Sequence, residues 1–113
     1  MKYALLIYET ADSFEAYRSD PAYNAAFPAY TQALIEAGVM AGGAGLQGTE
    51  TATTVRIDEG GHTVEDGPFA ETREMLGGFY LIDVPTLDEA LKWAARLPVR
   101  PGCCVEVRPQ LVM

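Results

Sequence analysis

Asp66-Gly67-Pro68-Phe69-Ala70-Glu71-Thr72-Arg73 places two carboxylates, a guanidinium and an aromatic ring within eight consecutive residues. An apolar neighbour such as Phe69 disfavours the charged form of a carboxylate, and a raised pKa suits it to relay a proton or bind an amine. Asp66 is therefore the candidate catalytic acid or base, with Phe69, Glu71 and Arg73 as candidate ligand contacts. The same residues also read without chemistry. Asp accepts backbone amides, Gly permits unusual φ and Pro fixes it, which makes a turn, while Glu71, Arg73 and Glu74 read as a solvated charge cluster. Three further candidates lie on strands. The hydroxyls of Tyr8 and Tyr80 either point into a cleft or belong to core or dimer packing, and Arg56 either clamps a ligand carboxylate or decorates an exposed strand.

Other chemistries lack their residues. The one histidine, His62, follows Gly60-Gly61 where a hairpin strand begins and faces solvent, so it is assigned no role. The two cysteines, Cys103 and Cys104, are adjacent, which rules out a loop-closing disulfide framework and favours a reducing, cytoplasmic setting. One histidine and two vicinal thiols do not make a zinc tetrad, so no metal is expected. Gly42-Gly43-Ala44-Gly45 lacks the spacing and the following helix of a phosphate-binding loop, so no cofactor is expected. Eight Lys and Arg against 16 Asp and Glu give a net charge of −8, a field that repels nucleic acid and anionic membrane. The apolar run that Glu9 ends is too short for an export signal or a membrane span.

The elements that must position these residues follow from patterning. With 113 residues, 49% of them hydrophobic, the chain is expected to form one domain, 1–113. Lys2 to Tyr8 is apolar without alternation in its middle and reads as a central strand. Thr10 to Asn24 is polar and reads as a connection with one helical turn, capped near Asp12-Ser13 and broken at Asp20-Pro21. Tyr30, Ala33, Leu34 and Ala37 make a helical stripe ending at Gly38, with Pro28 either in the first turn or inside a helix that begins near Ala22. Val39 to Leu46 is a glycine-weakened strand. Thr51 to Val64 is a hairpin turning at Glu59-Gly60-Gly61, and Leu76 to Val84 is a further strand. Thr86 and Glu89 spell a capping box for a helix whose stripe is Leu87, Ala90, Leu91, Ala94 and Leu97. A last strand runs from Cys103 to Arg108. This order is an α+β pattern, a ferredoxin-like split βαβ with an added hairpin strand. Leu5 to Tyr8 and Phe79 to Ile82 are apolar on both faces, and a second copy of the chain is the expected cover, giving a homodimer.

Asp66-Gly67-Pro68-Phe69, with Glu71, Gly77, Gly78, Phe79 and Tyr80, resembles the signature of the DGPF group in the YCII-related domain family. The resemblance extends to Gly42-Gly43-Ala44-Gly45-Leu46, Leu87-Asp88-Glu89-Ala90-Leu91 and Val105-Glu106-Val107-Arg108-Pro109, essentially the whole chain. It implies a small bacterial protein, a dimeric α/β-barrel with a cleft suspected of catalysis. YCII-like relatives are thought to pair a histidine on the first helix with an aspartate. In this sequence that position falls near Phe27, and the helix has no histidine. Two readings of function follow: a cleft near Asp66 that binds and transforms a small organic molecule by acid–base chemistry, or a non-catalytic dimeric module that binds a ligand or acts in regulation.

Overall fold

The structure is a computed structural model that describes residues 1–112. Strand β1 (Lys2–Glu9) is followed by helices α1 (Ala11–Ser19) and α2 (Pro21–Glu36), then strands β2 (Met40–Gly45), β3 (Thr53–Asp58), β4 (Gly61–Asp66) and β5 (Met75–Asp83). Helix α3 (Leu87–Ala95) and strand β6 (Cys104–Pro109) complete it. Four strands form an antiparallel sheet in the order β2-β5-β1-β6. This mixed α+β arrangement is compatible with the ferredoxin-like pattern. The hairpin strands β3 and β4 pair only with each other, so the hairpin adds no strand to the main sheet.

Along β1 the residues alternate between buried Tyr3, Leu5, Ile7 and Glu9 and partly exposed Ala4, Leu6 and Tyr8. The buried set meets Tyr30 and Leu34 of α2, Ala90 of α3, and Ile82, Val84 and Leu97 in one core. Leu5, Leu34 and Ile82 are completely buried, each stabilising the fold by roughly 1.5–3 kcal/mol relative to exposure. The helices thus cover one face of the sheet. On the other, Leu6 lies opposite Phe79 and Ala4 opposite Leu81, all partly exposed.

The connection after β1 differs from expectation. A nine-residue helix replaces the single turn, with Thr10 rather than Asp12 or Ser13 as its cap: Thr10 Oγ1 accepts from the Ser13 amide at 3.3 Å. Its buried residues are Ser13 and Ala16, which leave no apolar stripe to read from sequence. Asp20 ends α1 and caps α2, accepting from the Ala22 amide at 3.0 Å, and Pro21 fits the first turn because that N–H has no helical partner. Pro28 lies inside α2, which settles the two alternatives in favour of the longer helix. The capping box opens α3 as expected, with Thr86 Oγ1 accepting from the Glu89 amide at 3.2 Å. Gly38, at φ +72°, stands just past α2 as expected for its C-terminal stop.

One irregularity in the sheet positions the site. Ile7 pairs with Gly78 and Tyr8 with Leu76, so Gly77 is the extra residue of a β-bulge. The bulge lies beside the last residue of β1, Glu9.

Candidate functional site

Glu9 continues the buried side of β1, two residues beyond Ile7. It is 8% exposed. Its Oε1 accepts from Ser13 Oγ of α1 at 2.8 Å and, more weakly, from the Tyr23 hydroxyl of α2 at 3.3 Å. Because Ser13 gives its only hydroxyl proton to Glu9, the 2.8 Å contact between Ser13 Oγ and Tyr23 has the phenol as donor. The single phenol proton of Tyr23 is thus shared between Ser13 Oγ at 2.8 Å and, on the longer arm, Glu9 Oε1 at 3.3 Å. Burial pushes the Tyr23 pKa above the ordinary phenol value, and the negative charge of Glu9 adds to the rise.

The second oxygen of Glu9, Oε2, accepts no hydrogen bond among the described residues and lies over Gly77. Glu9 and Gly77 both border a cleft of about 980 Å³. Helices α1 and α2 supply one wall through Phe14, Tyr17, Phe27, Pro28 and Thr31; β2 and β5 supply the other, where Gly45, Gly77 and Gly78 leave the floor without side chains. Tyr17 and Phe27 meet edge to face at 5.8 Å. Thr31 Oγ1 donates to the Phe27 carbonyl at 3.0 Å, so in its 2.7 Å contact with Tyr80 the tyrosine donates and keeps only acceptor capacity. At the rim Arg18 and Glu50 form a 2.6 Å ion pair. A hydrogen bond to its own backbone amide, aided by Arg18, holds the Glu50 carboxyl below its usual pKa.

The sequence candidates are distributed differently. Only Tyr80 lines this cleft. Tyr8 lies on the open sheet face, its hydroxyl 3.4 Å from Glu106. Asp66 ends β4 and is exposed. It caps no turn: two residues on stands Pro68, which has no N–H, and the bend is instead held by the Gly67 amide to the Ala52 carbonyl at 2.7 Å and Thr54 Oγ1 to the Gly67 carbonyl at 2.6 Å. Arg56 is tied within the hairpin region, to Glu65 at 3.1 Å and to the Phe69 carbonyl at 3.0 Å. Phe69, Glu71 and Arg73 are exposed, as is His62. Among the described residues, no group of three or more His, Cys, Asp or Glu side chains is arranged to hold a metal ion. Among the described residues, no helix is long and apolar enough to cross a membrane.

Glu9, Ser13 and Tyr23 escaped sequence reading. The available signal was period two: Tyr3, Leu5, Ile7 and Glu9 share one side of a strand, so a carboxylate there enters the interior. Charge alone suggested an end to the strand.

The YCII-related domain family matches the chain over residues 1–111. The chain belongs to that family. It is also 42% identical over 113 residues to an uncharacterized protein of Rhizobium meliloti (strain 1021), covering 96% of this chain and 91% of that one. The resemblance read from the residues thus extends over nearly the whole chain. Phe27, which stands near the position where the sequence resemblance implied a histidine, lines the cleft.

The buried phenols carry a pH consequence. Tyr30 donates to the Trp93 carbonyl at 2.6 Å, and burial pushes its pKa far above the ordinary value. A folded-state pKa above the unfolded value of 10.0 means that stabilisation is full below that pH and is lost as pH rises beyond it. In an ultraviolet titration followed by circular dichroism, Tyr23 and Tyr30 are expected to ionise only together with alkaline unfolding. If all six tyrosines ionise while the dichroism is still native, the burial of both phenols is refuted.

Proposed function

We propose that the chain acts as a homodimer that binds a small organic molecule in the Glu9 cleft and transforms it by acid–base chemistry, with Glu9 as the proton-transferring group. The observation carrying this reading is the divided role of one carboxylate: Oε1 is held by Ser13 and Tyr23, whereas Oε2 has no donor among the described residues and lies against Gly77, with both residues lining the cleft. A fixed oxygen beside a free one keeps the group oriented for proton transfer to a bound molecule. Aromatic walls and an apolar floor favour an organic ligand over a bare ion. The dimer is supported by the partly exposed Leu6, Phe79 and Leu81 on the helix-free face and by the exposed Val55, Ile57 and Val64 of the hairpin. Free Cys103 and Cys104 accord with a reducing cytoplasm.

The test is a fragment screen by nuclear magnetic resonance on the parent protein, followed by turnover assays on the hits. Glu9→Gln keeps an acceptor for Ser13 but removes the charge and the transferable proton. Hits at the cleft are expected to lose turnover by about a hundredfold, the usual scale of general acid–base assistance. Asp66→Asn serves as the comparison, and its cleft binding should match the parent. Hits that respond to Asp66→Asn and ignore Glu9→Gln would move the site to the hairpin. The absence of a histidine from the cleft-lining part of α2 favours a second reading, a dimeric ligand-binding module, and binding without turnover of any hit would select it.

A further inference from the structure

We infer that the cleft takes a small protonated amine carried on a flat apolar body, with its ammonium on Glu9 Oε2; this rests on the cleft being the ligand site. The argument begins with donors and acceptors. Glu9 Oε2 is an acceptor without a donor among the described residues, although Glu9 itself is more than nine-tenths buried. Tyr80 has given its only hydroxyl proton to Thr31 and presents lone pairs. Glu9 Oε2 and the Tyr80 hydroxyl therefore both ask for donors, and an ammonium brings three and accepts nothing.

Charge gives the same answer. The one basic side chain on the cleft lining, Arg18, is already held at 2.6 Å by Glu50 and lies 4.0 Å from Glu15. With Glu9, Glu50 and Arg18 as the charged groups on that lining, its formal sum is −1 − 1 + 1 = −1. A ligand carboxylate would meet Glu9 with no free cation to offset it, whereas an ammonium neutralises the sum. The net charge of −8 over the whole chain raises the local concentration of cations and lowers that of anions.

Shape supplies the body. Phe14, Tyr17 and Phe27 stand on the helix side, and Gly45, Gly77 and Gly78 on the sheet side. A side chain built at Gly45 would meet nothing within 4 Å, so the floor there is open. Aromatic walls over a floor left bare at its glycines leave a slot suited to a planar ring, and the ring faces also attract a cation.

The experiment compares three probes of one shape: 2-phenylethylamine, 2-phenylethanol and phenylacetate. Each is titrated into the parent protein, Glu9→Gln and Gly45→Leu, and followed by the amide resonances of Gly77 and Gly78. The amine is expected to bind the parent about tenfold or more tightly than the alcohol, and phenylacetate weakest, the scale of one charge-assisted hydrogen bond. Glu9→Gln should erase the difference between amine and alcohol, and Gly45→Leu should weaken both by filling the slot. Equal binding of amine and alcohol by the parent overturns the amine assignment and leaves the cleft as a ligand site, as does phenylacetate binding best. No binding by any probe also overturns the amine assignment, while the fragment screen decides the cleft separately. Because the amine-to-alcohol ratio is read on the parent, the inference remains falsifiable even if Glu9→Gln fails to fold.

Discussion

Gly77→Ala is expected to lower ligand binding and turnover by about tenfold or more and to destabilise the protein by about 1–3 kcal/mol, although it adds a single methyl group. A Cβ at this position collides with Glu9 Oε2 and comes within 2.9 Å of Cδ and 3.2 Å of Cγ. The flexible end of a side chain usually swings away from such a clash, but this one is held by Ser13 and Tyr23. Moving the carboxylate removes an acceptor from a fully buried hydroxyl, and an unsatisfied buried donor carries the cost just stated. Gly45→Ala is the matching control, since its Cβ enters open space and should leave the melting temperature nearly unchanged. A thermal melt and a ligand titration of both variants check the expectation. The decisive comparison is Glu9→Gln made in the Gly77→Ala background, where it should add little because the carboxylate has already been displaced. Parent-like binding by Gly77→Ala would refute the placement of Glu9 against the ligand.

The second large effect is expected on the open face of the sheet. Leu6→Lys should raise the dimer dissociation constant by about a thousandfold, because the two-fold axis of an isologous dimer repeats each substitution and an unpaired charge in an apolar interface costs about 2 kcal/mol or more per copy. Leu6 pairs with Phe79 on one side and Glu106 on the other, in the middle of the face that no helix covers. An interface with this face at its centre is expected to bury on the order of 2,000 Å² in total or more. Leu91→Lys, on the exposed side of α3, adds the same charge away from that face and should leave the dimer intact. Sedimentation velocity across micromolar concentrations distinguishes them. A parent protein that runs as a monomer, or a Leu6→Lys variant that remains dimeric, would rule out this interface.

The elements were legible wherever local chemistry and tertiary burial agreed. Thr86 and Glu89 announce α3 because the capping bond is local, and β1 and β5 are apolar because the sheet interior requires it. Helix α1 was not legible. What it buries is a serine and an alanine, and Ser13 enters the interior only because Glu9 is already there to accept its proton. A polar pair that solvates itself leaves no hydrophobic period in either partner. The candidate site shared that difficulty. Asp66 attracted attention through the company of Gly67, Pro68 and Phe69, whereas Glu9 is separated in sequence from Ser13, Tyr23 and Gly77 by distances that only the folded sheet removes.

The detachment of β3 and β4 from the main sheet bears on how such a chain can change over generations. The hairpin's ladder of backbone bonds closes on itself, so a substitution or a change of length there leaves the register of β1 against β5, and with it the Gly77 bulge under Glu9, where it was. Exposed Ile57 and Val64 can drift with little cost to the fold of their own chain. Under this arrangement a lineage is free to vary the hairpin's exposed face while the register that sets Gly77 against Glu9 stays fixed, because the two are encoded in segments that do not share a hydrogen-bonded ladder.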